Sequence, residues 1–401
     1  MLSRRELLLA AASGWAARQA RALEGSGANE SAALEPVGPE LAVLPGKRPL
    51  LQRARRPPNF ETPLGALVPA FTPTDAFFVR YHLPVIPWIE SSAWRLQVGG
   101  TSARRPLNLS LAELRGRFER VSLAAVNQCS GNRRGLFSPR VPGVQWGNGA
   151  MGNALWTGVR LRDVLQHAGV AADALEVVFR GADSAVLPAT PDFVKSLPIG
   201  RALDESTLIA FEMNGDPLPH WNGAPARLVV PGWTGTYWMK HLTQIRLEPK
   251  PFDGFWMKAA YRLPTGAFPG ARFVSQETPE TTPITEILVN SLITSPLAGA
   301  RIRRGARVDL NGKAWDSGVG IAAVEVSVDD RRSWREASLG RNLGRYAWRE
   351  FHLPLETSVV GPLNIAVRAR SRSGAQQPDA LTFNPSGYHD NIVQTLSVEV
   401  V

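Results

Sequence analysis

Asn127-Gln128-Cys129-Ser130-Gly131-Asn132-Arg133-Arg134 contains the only cysteine in a chain of 401 residues. One cysteine cannot close an intramolecular disulfide. A buried structural cysteine belongs in an apolar segment, and Val121 to Val126 fits that description better than the small and polar residues around Cys129. Backbone amides near Gly131 and the cations Arg133 and Arg134 favour the thiolate, the form that acts as nucleophile or metal ligand. Local chemistry points to a metal site and leaves an inert core cysteine open, because reactivity also depends on burial.

Upstream, Ser3-Arg4-Arg5-Glu6-Leu7-Leu8, an apolar stretch from Leu7 to Ala17 and the small-residue site Ala20-Arg21-Ala22 read as a twin-arginine export signal over residues 1–22. The apolar stretch is about half of what a membrane span needs, so no span is expected after cleavage. That route carries proteins already folded around a cofactor, which fits a lone cysteine kept in a polar loop. The formal net charge is +10, from 45 basic and 35 acidic residues. Such a field suits a small oxyanion or an acidic partner, or simply serves solubility. No Lys/Arg tract or nucleic-acid motif accompanies it, so nucleic acid is not an expected partner.

Residues 23–58 are polar with scattered Gly and Pro, and read as an extended arm. Residues 59–278 mix short strands with brief helices, an α+β pattern: Leu175 to Phe179 and Leu208 to Phe211 are strand-like. Ser110-Leu111-Ala112-Glu113 has the form of a capping box, and Leu161, Val164, Leu165 and Ala168 share one helical face that Gly169 can end. After Thr278-Pro279-Glu280-Thr281-Thr282-Pro283 the character changes. Val324, Val326 and Val328 alternate with polar residues, Asp329-Asp330 signals a turn, and Leu363 to Ala369 reads as another strand. Residues 279–401 therefore read as an immunoglobulin-like β-sandwich.

Three further segments join the cysteine run: Phe78-Val79-Arg80-Tyr81-His82, Asn222-Gly223-Ala224-Pro225-Ala226-Arg227 and Gly235-Thr236-Tyr237-Trp238-Met239-Lys240. Together they resemble the sulfite oxidase family of molybdenum enzymes. Phe252-Asp253-Gly254-Phe255-Trp256-Met257-Lys258-Ala259-Ala260-Tyr261-Arg262 looks like the bacterial periplasmic sulfite dehydrogenases in particular. The resemblance implies a molybdopterin-binding domain followed by the sandwich, with molybdenum ligated by Cys129 and by the pterin. It puts His82, Asp183, Asn222, Arg227 and Lys240 around the cofactor, and sulfite between Arg80, Arg134 and Tyr261. Two guanidinium groups suit an oxyanion, and Arg with Lys suits a phosphate. It also implies electron transfer to cytochrome c or a cytochrome subunit and dimerisation through residues 279–401. No Cys-x-x-Cys-His haem site is present, so the acceptor would be another protein.

The pattern is not matched everywhere. Family members that oxidise sulfite commonly carry an arginine just after an Asn-Pro-x-Gly-Tyr-like segment, whereas Asn384-Pro385-Ser386-Gly387-Tyr388 is followed here by His389-Asp390. Asn222 stands where some relatives have histidine. Oxidation of another oxyanion, reductive oxygen-atom transfer of the sulfoxide reductase kind, and a non-enzymatic binding protein using the sandwich stay open as alternatives.

Overall fold

The strand Arg120–Gln128 leads to Cys129, and its two halves have different surroundings. Its first residues alternate in exposure, and its last five are all buried, so the chain enters the core just before the cysteine. In the computed structural model, which describes residues 40–265, 278 and 280–401, this strand pairs antiparallel with Met151–Arg160 from Arg120↔Val159 to Gln128↔Met151. Leu208–Met213 continues the sheet and also pairs with Asp216–Pro217 and Arg227–Val229. The proposed signal at residues 1–22 and the arm as far as residue 39 lie outside the described residues.

A second five-stranded sheet runs Val194–Pro198, Glu176–Gly181, Leu242–Glu248, Arg95–Gly99 and Leu107–Ser110, with Leu242–Glu248 parallel to Arg95–Gly99. Both sheets contribute to one apolar core that includes Trp94, Trp146, Trp156 and Phe179. The helix Leu111–Arg117 is closed at its N-terminus by the Ser110/Glu113 capping box, which satisfies two otherwise orphaned backbone donors. The helix Leu161–Ala168 buries Leu161, Val164, Leu165 and Ala168 and ends at Gly169 with φ of 74°, a backbone state that favours glycine.

Part of the stretch expected to be an extended arm is strand-paired. Leu41–Ala42, Leu50–Ala54, Asn59–Glu61 and Val79–Arg80 form one sheet, and Leu50 packs with Phe60, Val79 and Tyr81. The surrounding arginines and prolines hide this apolar anchor in the sequence. The last strand of this sheet delivers Arg80, Tyr81 and His82. The buried Glu61 carboxylate accepts from the Gly147 and Gly149 amides at 2.8 Å and from Arg53 Nε at 2.6 Å, tying this sheet to the loop before Met151–Arg160.

The C-terminal residues form two sheets around their own core, which includes Ile293, Val324, Phe351 and Val367. One contains Asn290–Ser295, Arg307–Trp315, Arg349–Glu356 and Ser338–Leu339. The other contains Arg301–Ile302, Gln394–Val400, Gly361–Ser371, Ile321–Ser327 and Arg335–Glu336. This is the expected sandwich of an otherwise helix-poor α+β chain. Val324 and Val326 lie inside a strand, whereas Val328 falls just past its end and is exposed.

The sandwich braces the strand that carries the cysteine. Leu67, Val126, Met151, Ile287, Leu292, Trp315 and Trp348 form a joint cluster. The Val126 amide donates to Tyr346 O at 2.9 Å, and Trp315 Nε1 donates to Gln128 Oε1 at 2.6 Å. Trp348 is fully buried and donates to Ala70 O at 2.8 Å. Trp348→Ala is expected to cost about 3–5 kcal/mol in urea unfolding, as for other large buried aromatics. A loss below about 1 kcal/mol would mean that this joint carries little of the stability.

Candidate active site

Past Gln128 the chain turns tightly. The Cys129 amide donates to Ala150 O and Cys129 O accepts from the Asn132 amide, both at 2.9 Å. A Cβ at Gly131 would stand 2.6 Å from Arg134 Nη2, so a larger residue there would have to displace the guanidinium. The buried thiol faces a cavity of about 640 Å³, open space at its mouth included, whose lining also holds Arg80, His82, Asp183, Asn222, Arg227, Lys240 and Tyr261. Eight of the nine site residues picked from sequence therefore share one cavity, although they come from segments scattered between residues 80 and 261.

Arg134 is the exception. Its Nε donates to Ser386 O at 2.8 Å and Nη1 to Val144 O at 3.3 Å, and its guanidinium carbon lies 5.1 Å from the centre of the Tyr388 ring. Tyr388 stacks on Tyr261 at 5.4 Å, so Arg134 sits one ring behind the wall. Neither residue of the unusual pair after Tyr388 is in the lining. Asp390 faces Arg133 at 3.6 Å in a buried ion pair, and His389 meets this region through its amide, which donates to Ser130 O at 3.2 Å.

One end of the cavity forms a polar cluster. Tyr261 Oη lies 3.5 Å from Arg80 Nη2 and hydrogen-bonds His82 Nε2. His82 stacks on Phe193 at 3.7 Å. Burial, with Arg80, Lys240 and Lys195 nearby, holds its pKa well below the ordinary 6.5, so the imidazole is neutral. Burial keeps the Tyr261 hydroxyl protonated. Tyr261 adopts φ of 58°, and Arg133, His241 and His389 also have positive φ. Four of the seven described non-glycine residues with positive φ thus lie in or beside the segments that build the site.

The rest of the lining buries two further cations, Arg227 and Lys240, with one carboxylate, Asp183, acting on Lys240. Arg227 donates to Asn222 O at 2.9 Å and Trp238 O at 3.0 Å, its Nε has no partner, and burial brings its pKa down to about 9. Lys240 Nζ donates to Arg80 O at 2.5 Å and lies over the Tyr81 ring, and burial followed by the charge of Arg227 depresses its pKa. Asp183, the one carboxylate in the lining, has its own pKa raised to about 6 by burial. Asn127 Oδ1, Ser130 Oγ and Thr236 Oγ1 are buried without partners at the same wall. Buried cations in excess of carboxylates and orphaned polar atoms are costly in a folded chain. Here they make a lining that calls for an anionic, multiply hydrogen-bonding ligand.

Three contributors were missed in the sequence. Lys47, inside the supposed arm, donates to Asn222 Oδ1 at 2.6 Å, to Thr74 O at 2.7 Å and to Phe77 O at 3.1 Å. Lys195 is buried, donates to Trp256 O at 2.7 Å and lies 4.5 Å from the Tyr237 ring centre. Its signal was a lone lysine among the apolar Phe193, Val194 and Leu197. Tyr81 bonds His241 Nε2 at 2.7 Å behind Lys240, and only its place beside Arg80 could have marked it.

Burial brings the pKa of Lys47 and Lys195 down to about 7 from 10.5. Between those values the unfolded chain binds more protons than the folded one, so cofactor-free protein should gain stability as pH rises from 7 towards 10. Melting curves across that window should show the rise, flattened by Lys195→Met; a fall with pH would contradict these shifts.

A family model described as oxidoreductase molybdopterin binding domain matches residues 82–256, and one described as Mo-co oxidoreductase dimerisation domain matches residues 281–400. Sulfite oxidase of Gallus gallus is 36% identical over 351 residues, covering 84% of this chain and 75% of that protein. Mitochondrial sulfite oxidase of Mus musculus is 34% identical, with 89% and 67% covered. Nitrate reductase of Hordeum vulgare is 30% identical over 88% of this chain but 41% of its own. Among solved structures, sulfane dehydrogenase SoxCD from Paracoccus pantotrophus superposes with a TM-score of 0.75 and 26% identity, over 93% of this chain and 94% of that one. The cofactor of this domain type is molybdenum carried by molybdopterin. The lining fits it: a soft thiol for the metal, and buried Arg and Lys with orphaned hydrogen-bonding atoms for the phosphate-bearing pterin.

Proposed function

We propose that this chain, which belongs to the sulfite oxidase family of molybdopterin oxidoreductases, oxidises sulfite to sulfate and delivers the electrons singly to cytochrome c, as the bacterial sulfite dehydrogenases do. The observation that carries this reading is the Arg80, Tyr261 and His82 cluster on the wall of the cavity that holds the lone cysteine. Cys129 would ligate the metal, with His82, Asp183, Asn222, Arg227 and Lys240 around the pterin. When bound, the cofactor supplies oxygen-atom transfer and takes up the electron pair.

The protein's part is orientation and charge. Arg80 would hold two oxygens of the anion through its planar fork, and Tyr261, protonated across the working range, would present its hydroxyl to the same anion. His82, neutral and clamped on Phe193, fixes the position of that hydroxyl. Arg134 acts from behind Tyr388 as a fixed positive charge. Arg80→Met should raise KM for sulfite by about 30-fold or more, the loss of one charge-assisted contact, in sulfite-dependent cytochrome c reduction. An unchanged KM would remove Arg80 from the substrate's surroundings.

Arg134's retreat from the lining favours a second reading, oxidation of a different sulfur oxyanion that needs fewer cations. Turnover of thiosulfate in preference to sulfite would select it. We also assign residues 1–22 to a signal for twin-arginine export to the periplasm, 23–58 to an N-terminal segment, 59–278 to the catalytic domain and 279–401 to a domain that pairs two copies. Cell fractionation and light scattering test the export and the pairing.

A further inference from the structure

We infer that the surface around Trp88 is where a one-electron haem protein docks and takes electrons from the enzyme, an inference that rests on the reading above. Val85, Trp88, Val186 and Leu187 are 42%, 74%, 68% and 65% exposed, high for large apolar side chains, and they lie on two loops that meet at one bridge. Their two loops are zipped together: the Val85 amide donates to Ser184 O at 3.2 Å and the Ser184 amide to Val85 O at 2.9 Å. Asp183, next to Ser184, lines the cofactor cavity. The bridge therefore joins the loop that carries Val85 and Trp88 to the loop that supplies Asp183 to the cavity.

A chain of aromatic rings says what covers the patch. Trp88, its indole N–H fixed on Glu90 Oε1 at 2.8 Å, stacks on His220 at 5.1 Å. His220 lies 5.4 Å from the His241 ring, and His241 bonds the Tyr81 hydroxyl at 2.7 Å. Tyr81 lines the cavity beneath Lys240. An exposed aromatic joined ring by ring to a redox cofactor's cavity suits a partner that exchanges electrons. A ligand recognised only by shape would gain nothing from that connection. The chain has no haem attachment motif and one cysteine, so its electrons must cross a protein surface. An apolar centre with an aromatic anchor suits the small, weak interfaces of electron carriers. The balance is simple: sulfite and water give sulfate, two protons and two electrons, and each electron reduces one ferric haem to ferrous.

The test uses loaded full-length enzyme, ferricyanide or ferricytochrome c as acceptor, and surface plasmon resonance for ferricytochrome c binding. Leu187→Asp leaves the ring chain intact and puts a charge in the patch; Trp88→Leu keeps the patch apolar and removes the outermost ring. With ferricyanide, both variants should match wild type within about twofold, since that small acceptor needs no docking face. With ferricytochrome c, Leu187→Asp should raise KM and the dissociation constant about tenfold, about the effect of one misplaced interface charge. Trp88→Leu should lower kcat with ferricytochrome c several-fold. Wild-type binding and kinetics in both variants would overturn the docking site. Absence of sulfite-dependent ferricyanide reduction in wild type would instead overturn the functional reading, and the binding measurements would still decide the docking surface.

Discussion

Cys129→Ser should fold and melt close to wild type yet oxidise sulfite at less than about a thousandth of the normal kcat, because a serine hydroxyl is a poor replacement for a soft thiolate on molybdenum. The fold should survive because the turn is held by main-chain bonds, Cys129 N to Ala150 O and Asn132 N to Cys129 O, which the substitution leaves in place. The remaining buried contacts of the site come from other segments. Steady-state kinetics and thermal melting on the same preparation check both halves. Turnover within tenfold of wild type would mean that the cysteine is not a ligand.

Arg227→Met should separate stability from loading. Arg227 is 3% exposed, and its guanidinium is held by two main-chain carbonyls, has an unpartnered Nε and faces no carboxylate. A buried charge in that state is an expense to the empty protein, as the fall of its pKa to about 9 records. Removing it should leave the cofactor-free protein melting no lower than wild type. Molybdenum and pterin content should fall below about a tenth, since a buried anion would then lack its charge-assisted partner. A purely structural arginine would give the reverse, a lower melting temperature with normal cofactor content.

The sequence was most readable where local rules act. The capping box at Ser110, the apolar face from Leu161 to Ala168 and the strand Gly361–Ser371 follow from periodicity and capping alone. The sandwich was legible from alternation and turn signals. Of the site, Cys129 stood out by composition, whereas Arg80, Asp183, Arg227 and Lys240 were found through a resemblance, because long-range packing brings them together. Lys47 stayed hidden because its partners Thr74, Phe77 and Asn222 are 27, 30 and 175 positions away. The retreat of Arg134 behind Tyr388 was equally illegible. Its direction is set by carbonyls of Val144 and Ser386 and by the room left at Gly143 and Gly387, where a Cβ would collide with its side chain.

Metal analysis of the purified full-length protein, paired with sulfite-dependent reduction of ferricytochrome c on the same sample, tests the central claim most directly. The account predicts about one molybdenum per chain, as a single thiolate ligand implies, and reduction that requires sulfite. Molybdenum without any sulfite-dependent reduction would contradict the proposed reaction, and folded protein that takes up no molybdenum would contradict the site itself.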